Sequence, residues 1–243
     1  MELKPGISVI GEDLSTVDFT DADLADARFV DCVMEDVTFS NAVLEGARFS
    51  GCRILRARFP HTDLREAQFE DCVLSADRKG AEFAFGRLDE ARFRRCDLSF
   101  AKFDRVSAYN VAFEACQMRG ANFLKADFGR SFGRSLIRWA ASFEGSHLEL
   151  ADLAEAKLPG ADFQRCSFRE ADLRDADLEG ADLREADLFQ ALTSGLKLAG
   201  ADLRGAEVSG LDLTALGSMA GLRVAADQQH RLLSAMGLDV HPE

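Results

Sequence analysis

Residues 171–188 read ADLRDADLEGADLREADL, so that leucine recurs at every fifth position and alanine stands two places before it. Five matches neither the 3.6-residue period of a helix nor the two-residue period of a simple strand. In a short extended segment, residues two apart point to the same side. Each leucine and its alanine therefore point inward, and the other three residues of the unit point outward. A fixed short period along a chain is typical of a solenoid.

The same five-residue unit covers most of the chain. Its centres run from residue 14 to 74, from 83 to 128 and from 143 to 213. A second period of twenty residues relates cysteines at the small inward position, namely Cys32, Cys52 and Cys72, and then Cys96 and Cys116. Twenty residues are four units, and like residues stack one coil apart. The spacing therefore predicts a square coil with four sides.

The central residues alternate between aliphatic residues and phenylalanine from residue 14 to residue 74. On a square coil this alternation places phenylalanine on two opposite sides, which fills a narrow core without voids. About ten coils stacked at the inter-strand spacing of about 4.8 Å predict a rod of roughly 45–55 Å. The inward cysteines are expected to pack as small hydrophobic side chains rather than to bind a metal.

A first interruption, SADRKGAEF, follows Leu74. The phase moves by four residues there, yet Cys96 stays in the cysteine column if about four residues bulge outward. This spacing predicts a surface loop near residues 76–82 on an intact rod. Loops on rigid scaffolds often carry binding residues, and the candidates in this loop are Asp77, Arg78 and Lys79.

A second interruption, FGRSFGRSLIRWAASF, spans residues 128–143 and contains the only tryptophan. The expected centres are Gly133 and Arg138, which would not fill the core. If ten residues leave the coil as a loop within 129–142, Cys166 rejoins the cysteine column. The alternative is a distorted side of the coil with Phe132, Leu136 and Ile137 still inward. The loop is favoured, and its candidate binding residues, of types enriched at interface hot spots, are Arg130, Phe132, Arg134, Leu136, Ile137, Arg138 and Trp139.

The five-residue repeat ends after Leu213, which divides the chain into a repeat region at 1–213 and a C-terminal cap at 214–243. Asp227 is placed to open a short helix, and Gly237 fits the position just past its end. The helix is either a lid on the last coil or a contact that pairs two rods isologously. Its candidate dimerisation residues are Leu232, Leu233, Met236, Leu238 and Val240.

Composition narrows the functional classes. The chain has 243 residues, of which 47% are hydrophobic, and no apolar run approaches the eighteen residues of a membrane span. Its start lacks the pattern of a signal peptide, so a cytoplasmic location is expected. The net charge of −13 disfavours general nucleic-acid binding. The charge is uneven, however, because residues 78–138 carry 13 basic and 7 acidic side chains, between two acidic ends.

No motif indicates an enzyme. The four histidines belong to no recognisable catalytic cluster, and the phosphate-binding pattern GxxxxGK is absent. The frequent aspartate before each centre recurs all around the coil, which is typical of turn chemistry rather than of paired catalytic acids. The sequence therefore predicts no catalytic residues, no cofactor and no metal.

The repeated unit resembles the pentapeptide-repeat family, whose consensus is A(D/N)Lxx, over about residues 9–213. The resemblance implies an all-β solenoid, a right-handed quadrilateral β-helix. A narrower resemblance to the Qnr-type subgroup rests on the order of loops and helix and on four stretches: DRKGAEF at 77–83, RRCDLSFAKF at 94–103, RGANFLKADF at 119–128 and QQHRLLSAMGLDV at 228–240. One departure is the coil stack before the first loop, which is longer here than in Qnr proteins.

The Qnr-type resemblance implies a protein that binds DNA gyrase, topoisomerase IV or both, and protects them from poisons such as quinolones or natural gyrase toxins. It also implies that both loops are needed for protection, that the C-terminal helix forms a homodimer and that the acidic rod partly mimics DNA. The basic middle does not fit such mimicry. Neither a membrane nor a specific nucleic-acid sequence is an expected partner. The alternative is a scaffold that binds another cytoplasmic protein through the same loops.

Overall fold

The computed structural model describes residues 2–133, 136–239 and 241. The chain winds into a solenoid in which each five-residue unit forms one side of a square coil. We number the sides by one early coil, in which side 1 holds Phe29, side 2 Met34, side 3 Phe39 and side 4 Leu44. All four of these central side chains are fully buried. The predicted solenoid of pentapeptide units, with two loop insertions and a short C-terminal helix, is confirmed.

Side 1 carries an unbroken parallel ladder along the rod. Its eleven rungs span about 48 Å at the inter-strand spacing of about 4.8 Å, which agrees with the predicted length. The rungs are Ser8, Arg28, Arg48, Gln68, Arg92, Ala112, Ser142, Asp162, Asp182, Asp202 and Arg223.

Most sides are too short to form more than single bridges, and the regular strands contain two to four residues. A seven-stranded parallel sheet on side 1 has the order β1-β2-β4-β6-β9-β10-β13, and β3 pairs with β5 on side 2. Two antiparallel hairpins, β7-β8 and β11-β12, lie outside the coil. The strands are β1 Ser8–Ile10, β2 Arg28–Val30, β3 Val33–Glu35, β4 Arg48–Ser50, β5 Arg53–Leu55, β6 Gln68–Glu70, β7 Ser75–Ala76, β8 Lys79–Gly80, β9 Arg92–Arg94, β10 Val111–Glu114, β11 Gly129–Ser131, β12 Ile137–Trp139 and β13 Ala141–Ser142.

Phenylalanine forms two columns on opposite sides of the core, as the alternation predicted. Neighbouring rings within a column are stacked with centroids 4.5–5.1 Å apart, and each such pair contributes about 0.5–1.5 kcal/mol beyond burial. The side 3 column is Phe19, Phe39, Phe59, Phe83, Phe103 and Phe123, and the side 1 column is Phe29, Phe49, Phe69, Phe93, Phe113, Phe143 and Phe163.

The aspartate before each centre stabilises the following corner. At Asp13, for example, the carboxylate accepts a hydrogen bond from the backbone N–H of Ser15 at 3.0 Å, and the same contact recurs at Asp152 and Asp187. Many corners also place a residue in the left-handed region, such as Asp21 with φ of 55°. Glycine and short polar residues tolerate that region best, and Gly and Asp are the commonest residues there among those described.

The cysteine column is a packing feature. All six thiols are buried and unpaired, and most donate weakly to a carbonyl of the preceding coil, as Cys116 does to Phe93 at 3.4 Å. Ser146 fills the place between Cys116 and Cys166, and its hydroxyl donates to Phe113 at 2.9 Å. Burial raises the pKa of Cys166 to about 12, which makes this thiol unreactive. Among the described residues, no cluster of side chains suits a metal ion.

Both interruptions leave the coil register intact. Bridge partners lie twenty residues apart before the first loop, twenty-four apart across it and thirty apart across the second. Four and ten residues are therefore excluded from the coil, as the cysteine spacing predicted. The alternative of a distorted side is wrong, because Phe132, Leu136 and Ile137 are about half exposed instead of inward.

The C-terminal end is closed by side chains from two helical segments. The bridges continue past residue 213 to Arg223, with one extra residue taken up near a 3₁₀ helix at Leu213–Ala215. A second 3₁₀ helix, Ala226–Gln228, leads into helix α1, Gln229–Ala235. The buried Gln228 amide donates to the carbonyls of Leu203 and Ala206 at 2.7 and 2.8 Å. In the described part of the chain, no helix has the length and apolarity to cross a bilayer.

Candidate partner-binding surface

The two loops leave the rod at diagonally opposite corners. The first loop follows Leu74 on side 2 and returns to Phe83 on side 3, and the second follows Phe128 on side 4 and returns to Phe143 on side 1. The loops are also about two and a half coils apart along the rod, or about 12 Å at the spacing of stacked strands. The structure therefore does not bring the candidate residues of the two loops together into one site.

Loop 1 is a tight hairpin in which β7 pairs with β8. Asp77 and Arg78 form its turn with φ of 54° and 59°, and both are exposed. Gly80 presses the hairpin onto the next coil, since a Cβ there would lie 2.2 Å from the backbone nitrogen of Ala101. Asp77 also faces Arg56 at 3.8 Å. Loop 1 is thus held mainly by backbone contact and presents charged side chains.

A basic groove of about 500 Å³ lies between loop 1 and side 3. Two acidic groups in it are already paired, Asp36 with Arg56 and Glu82 with Lys102, each at 2.8 Å. The hydrogen bond from Arg56 holds the pKa of Asp36 below its usual value, although the carboxyl is exposed. The lining residues are Asp36, Arg56, Arg58, Arg78, Lys79, Gly80, Glu82, Phe100, Lys102, Gly120 and Asn122.

Loop 2 is a longer hairpin formed by β11 and β12. Arg130 and Arg138 lie directly opposite each other on the two strands of this hairpin, so that two like charges are adjacent. Each guanidinium lies over an aromatic ring, that of Arg130 over Tyr109 and that of Arg138 over Phe132, with 5.4 and 5.5 Å to the ring centroids. These cation–π contacts offset the repulsion.

The rod supplies a platform for loop 2. Tyr109 contacts Phe132 edge to face with centroids 5.8 Å apart, and Glu90 accepts from Arg130 at 3.1 Å. Trp139 is half-buried against the core, and its indole lies beside Gly129, where a Cβ would be 2.9 Å from Nε1. The hairpin is therefore held by side chains, and beside Arg130 and Arg138 it presents the exposed apolar side chains of Phe132, Leu136 and Ile137.

Two residues of this platform, Tyr109 and Glu90, are absent from the sequence-based candidates. The contact joins residues 40 apart in the chain, such as Glu90 and Arg130. Glu90 occupies the same corner, between sides 4 and 1, from which loop 2 leaves. Counting units along the coil could have placed Glu90 there, but only side-chain geometry pairs it with Arg130. Arg134, another candidate, lies outside the described residues.

The predicted stripe of the C-terminal helix divides between two roles. Leu232 is buried in the core of the rod and serves as a lid, whereas Met236 and Leu238 are exposed and Leu233 is half-buried. Gly237 follows the helix with φ of 80°, as predicted. An apolar groove of about 470 Å³ runs between the helix and the last coil, lined by Leu213, Val224, Ala225, Ala226, Gln229, Leu232 and Leu233. Val240 lies outside the described residues.

These features define a solenoid of five-residue repeats with binding loops at its corners. Residues 10–83 match the family described as "Pentapeptide repeat region", and residues 96–131, 146–184 and 181–215 match "Pentapeptide repeats". The chain belongs to the pentapeptide-repeat family. No curated protein matches it by sequence.

Solved structures with the same fold include proteins of different roles. Full-length QnrB1, described as a plasmid-mediated fluoroquinolone resistance protein, is 22% identical with a TM-score of 0.71, over 98% of this chain and 100% of QnrB1. A trypsin-treated variant of QnrB1 gives 20% identity and a TM-score of 0.73, over 98% and 99% of the two chains. HetL, described as involved in heterocyst differentiation regulation in the cyanobacterium Nostoc, is 22% identical to this chain. The match has a TM-score of 0.54 and covers 90% of this chain and 85% of HetL. At these identities the likeness establishes a shared fold.

Proposed function

We propose that this protein binds a type II DNA topoisomerase, DNA gyrase or topoisomerase IV, and protects it from poisons such as quinolones or natural gyrase toxins. The observation that carries the proposal is loop 2, a hairpin that exposes Phe132, Leu136 and Ile137 beside Arg130 and Arg138. Aromatic and arginine side chains are the types that dominate interface hot spots. The full-length likeness in fold to QnrB1 supports the same assignment. The action is protection by binding, without catalysis, and its place is the cytoplasm.

The diagonal placement of the loops sets a condition on the partner. A flat surface cannot meet two diagonally opposite corners of the rod, so a partner that contacts both loops has to reach around it. An enzyme that encloses a DNA duplex in a basic saddle provides such a surface. The C-terminal half of the rod supports this fit, because residues 149–188 carry 12 acidic and 5 basic side chains, and complementary charge steers association.

The proposed assembly is a homodimer through the C-terminal helix. Leu233 lines the apolar groove of that end, and Met236 and Leu238 are exposed at the end of the helix. An isologous contact would cover these side chains on both copies at once. Sedimentation of the chain and of a Met236→Glu, Leu238→Glu variant tests this part. A monomeric wild-type protein at micromolar concentration contradicts it.

A supercoiling assay with purified gyrase, a quinolone and increasing amounts of this protein tests the main proposal. We expect rescue by the wild-type chain and its loss when Phe132, Leu136 and Ile137 are replaced by serine. The matched control replaces three other apolar residues of similar exposure, Leu150, Leu192 and Met219. The control is expected to protect. If the wild-type protein is folded but rescues neither gyrase nor topoisomerase IV from any poison, the proposal is contradicted.

A second candidate is a scaffold that binds another cytoplasmic protein through the same loops. The observation that favours it is the shared fold with HetL, which covers 90% of this chain. Affinity capture with the wild-type chain and with the loop 2 serine variant separates the two candidates. A loop-dependent partner other than a topoisomerase, with no rescue in the supercoiling assay, favours the scaffold.

A further inference from the structure

We propose that the basic groove beside loop 1 binds a short single strand of nucleic acid without sequence preference. The proposal does not depend on the topoisomerase assignment, because it concerns the chain alone. Three features of the groove support the proposal: its unpaired cations, its length and its aromatic floor.

The first feature is cationic charge that the protein does not neutralise. Among the described residues, Arg78 and Lys79 form no ion pair or side-chain hydrogen bond, and Arg58 bonds only to the hydroxyl of Thr38, at 3.2 Å. The two acidic side chains in the groove are occupied by Arg56 and Lys102. Three cations therefore remain for an anionic ligand, and their exposure lets a phosphate reach them without displacing an internal partner.

The second feature is the direction of the groove. Its lining comes from five successive coils, marked by Asp36, Arg56, Glu82, Phe100 and Gly120. Four steps between coils amount to about 19 Å at the spacing of stacked strands. The groove thus runs along the rod, which suits a linear polyanion better than a single small anion. Proteins that bind single strands use such basic grooves to follow the backbone.

The third feature favours a nucleic acid over an acidic polypeptide. Phe100 forms part of the floor, half-buried, and its ring lies over Gly120, where a Cβ would come within 2.9 Å of the ring. An aromatic ring among cations is the combination on which bases and phosphates are both bound, whereas an acidic peptide gains little from the ring.

The test is fluorescence anisotropy of a labelled thymidine oligonucleotide of about 12 nucleotides at about 50 mM salt. We expect binding that weakens as salt rises, and a loss of about tenfold or more in the Arg78→Glu, Lys79→Glu variant, because two phosphate contacts become repulsive. The matched control is Arg28→Glu, Arg48→Glu, which changes the net charge equally on side 1, opposite the groove. The control is expected to bind like wild type.

Arg58→Gln provides a second variant outside the hairpin, and circular dichroism establishes that each variant is folded. Three results would overturn the proposal: no binding at low salt, equal weakening by the groove and control variants, or equal displacement by a polyglutamate peptide of the same charge. The last result would assign the groove to an acidic polypeptide. None of these results depends on whether the chain protects a topoisomerase.

Discussion

The two loops of this rod are built by opposite means. Loop 1 excludes four residues from the coil, is pressed onto the rod by the backbone at Gly80 and presents charge. Loop 2 excludes ten residues, is held by side chains of Glu90 and Tyr109 and exposes the apolar side chains of Phe132, Leu136 and Ile137. The same scaffold therefore produces a polar surface where backbone contact fixes the loop, and a hydrophobic surface where aromatic contacts do. The predictions below test this difference.

The largest effect is expected from filling the space at Gly80. A Gly80→Val substitution places carbon atoms against the backbone of residues 99–101, which cannot move without disturbing the coil. We expect a loss of about 1–3 kcal/mol in the free energy of unfolding, the usual cost of overpacking. Chemical denaturation measures it. Lys79→Ala, in the same hairpin but exposed, should leave stability nearly unchanged, and equal effects of the two substitutions would contradict the backbone role.

A smaller effect is expected from removing the platform of loop 2. Tyr109→Ala loses one cation–π contact and one aromatic pair, which together contribute about 1–2 kcal/mol to holding the hairpin. The only tryptophan, Trp139, reports on this loop. Its emission should shift to the red and become easier to quench, while the melting of the rod stays the same. Tyr109→Phe keeps the ring and should behave like wild type. A red shift in both variants would disprove the aromatic role.

The smallest effect on the loops is expected from lowering the pH. The hydrogen bond from Arg56 holds the pKa of Asp36 below its ordinary value of 3.8 in the folded state. Because the pKa of Asp36 is lower in the folded than in the unfolded state, the ionised carboxylate stabilises the fold at pH values above the unfolded pKa. This stabilisation is lost as the pH falls below 3.8 and through the folded pKa. Asp36 holds Arg56, which faces Asp77 of loop 1, so the protection of the Ala81 amide against exchange, relative to its intrinsic rate at each pH, should fall there. Asp36→Asn should remove this acid dependence.

Loop 2 provides the internal control for that measurement. In a Glu90→Gln background its hairpin is held by aromatic contacts that do not titrate, so the emission of Trp139 should stay constant over the range in which loop 1 loosens. Parallel changes at both loops would instead indicate a general acid transition of the rod. Such a result would remove the proposed difference between the two ways of holding a loop.

The repeat made most of the fold predictable. The period of five, the cysteine spacing of twenty and the alternation of phenylalanine predicted the square coil, the two columns and the lengths of both insertions. The inward face is decided by residue size and polarity alone, and every coil repeats the same environment. Sequence reasoning is therefore strongest where the chain is regular.

The contacts outside the coil were not predictable in the same way. Arg56, Arg58 and Lys102 join Arg78 and Lys79 in one groove only because stacking places residues of three successive coils side by side. The last coil was also missed, because one extra residue near Leu213 ends the count of fives although the bridges continue to Arg223. Side-chain pairing and single-residue insertions leave no periodic signal.

The intact register has a consequence for how such proteins can change. A loop keeps its corner and its height when its length changes, because the excluded residues never enter the ladder. Five residues added to the coil would move a loop by a quarter turn, and twenty would move it by one step of about 4.8 Å along the axis. The relative position of the two loops can thus change only in discrete increments. During evolution, the insertion or loss of whole repeats can fit the loops to a new partner while the core keeps the same residue types.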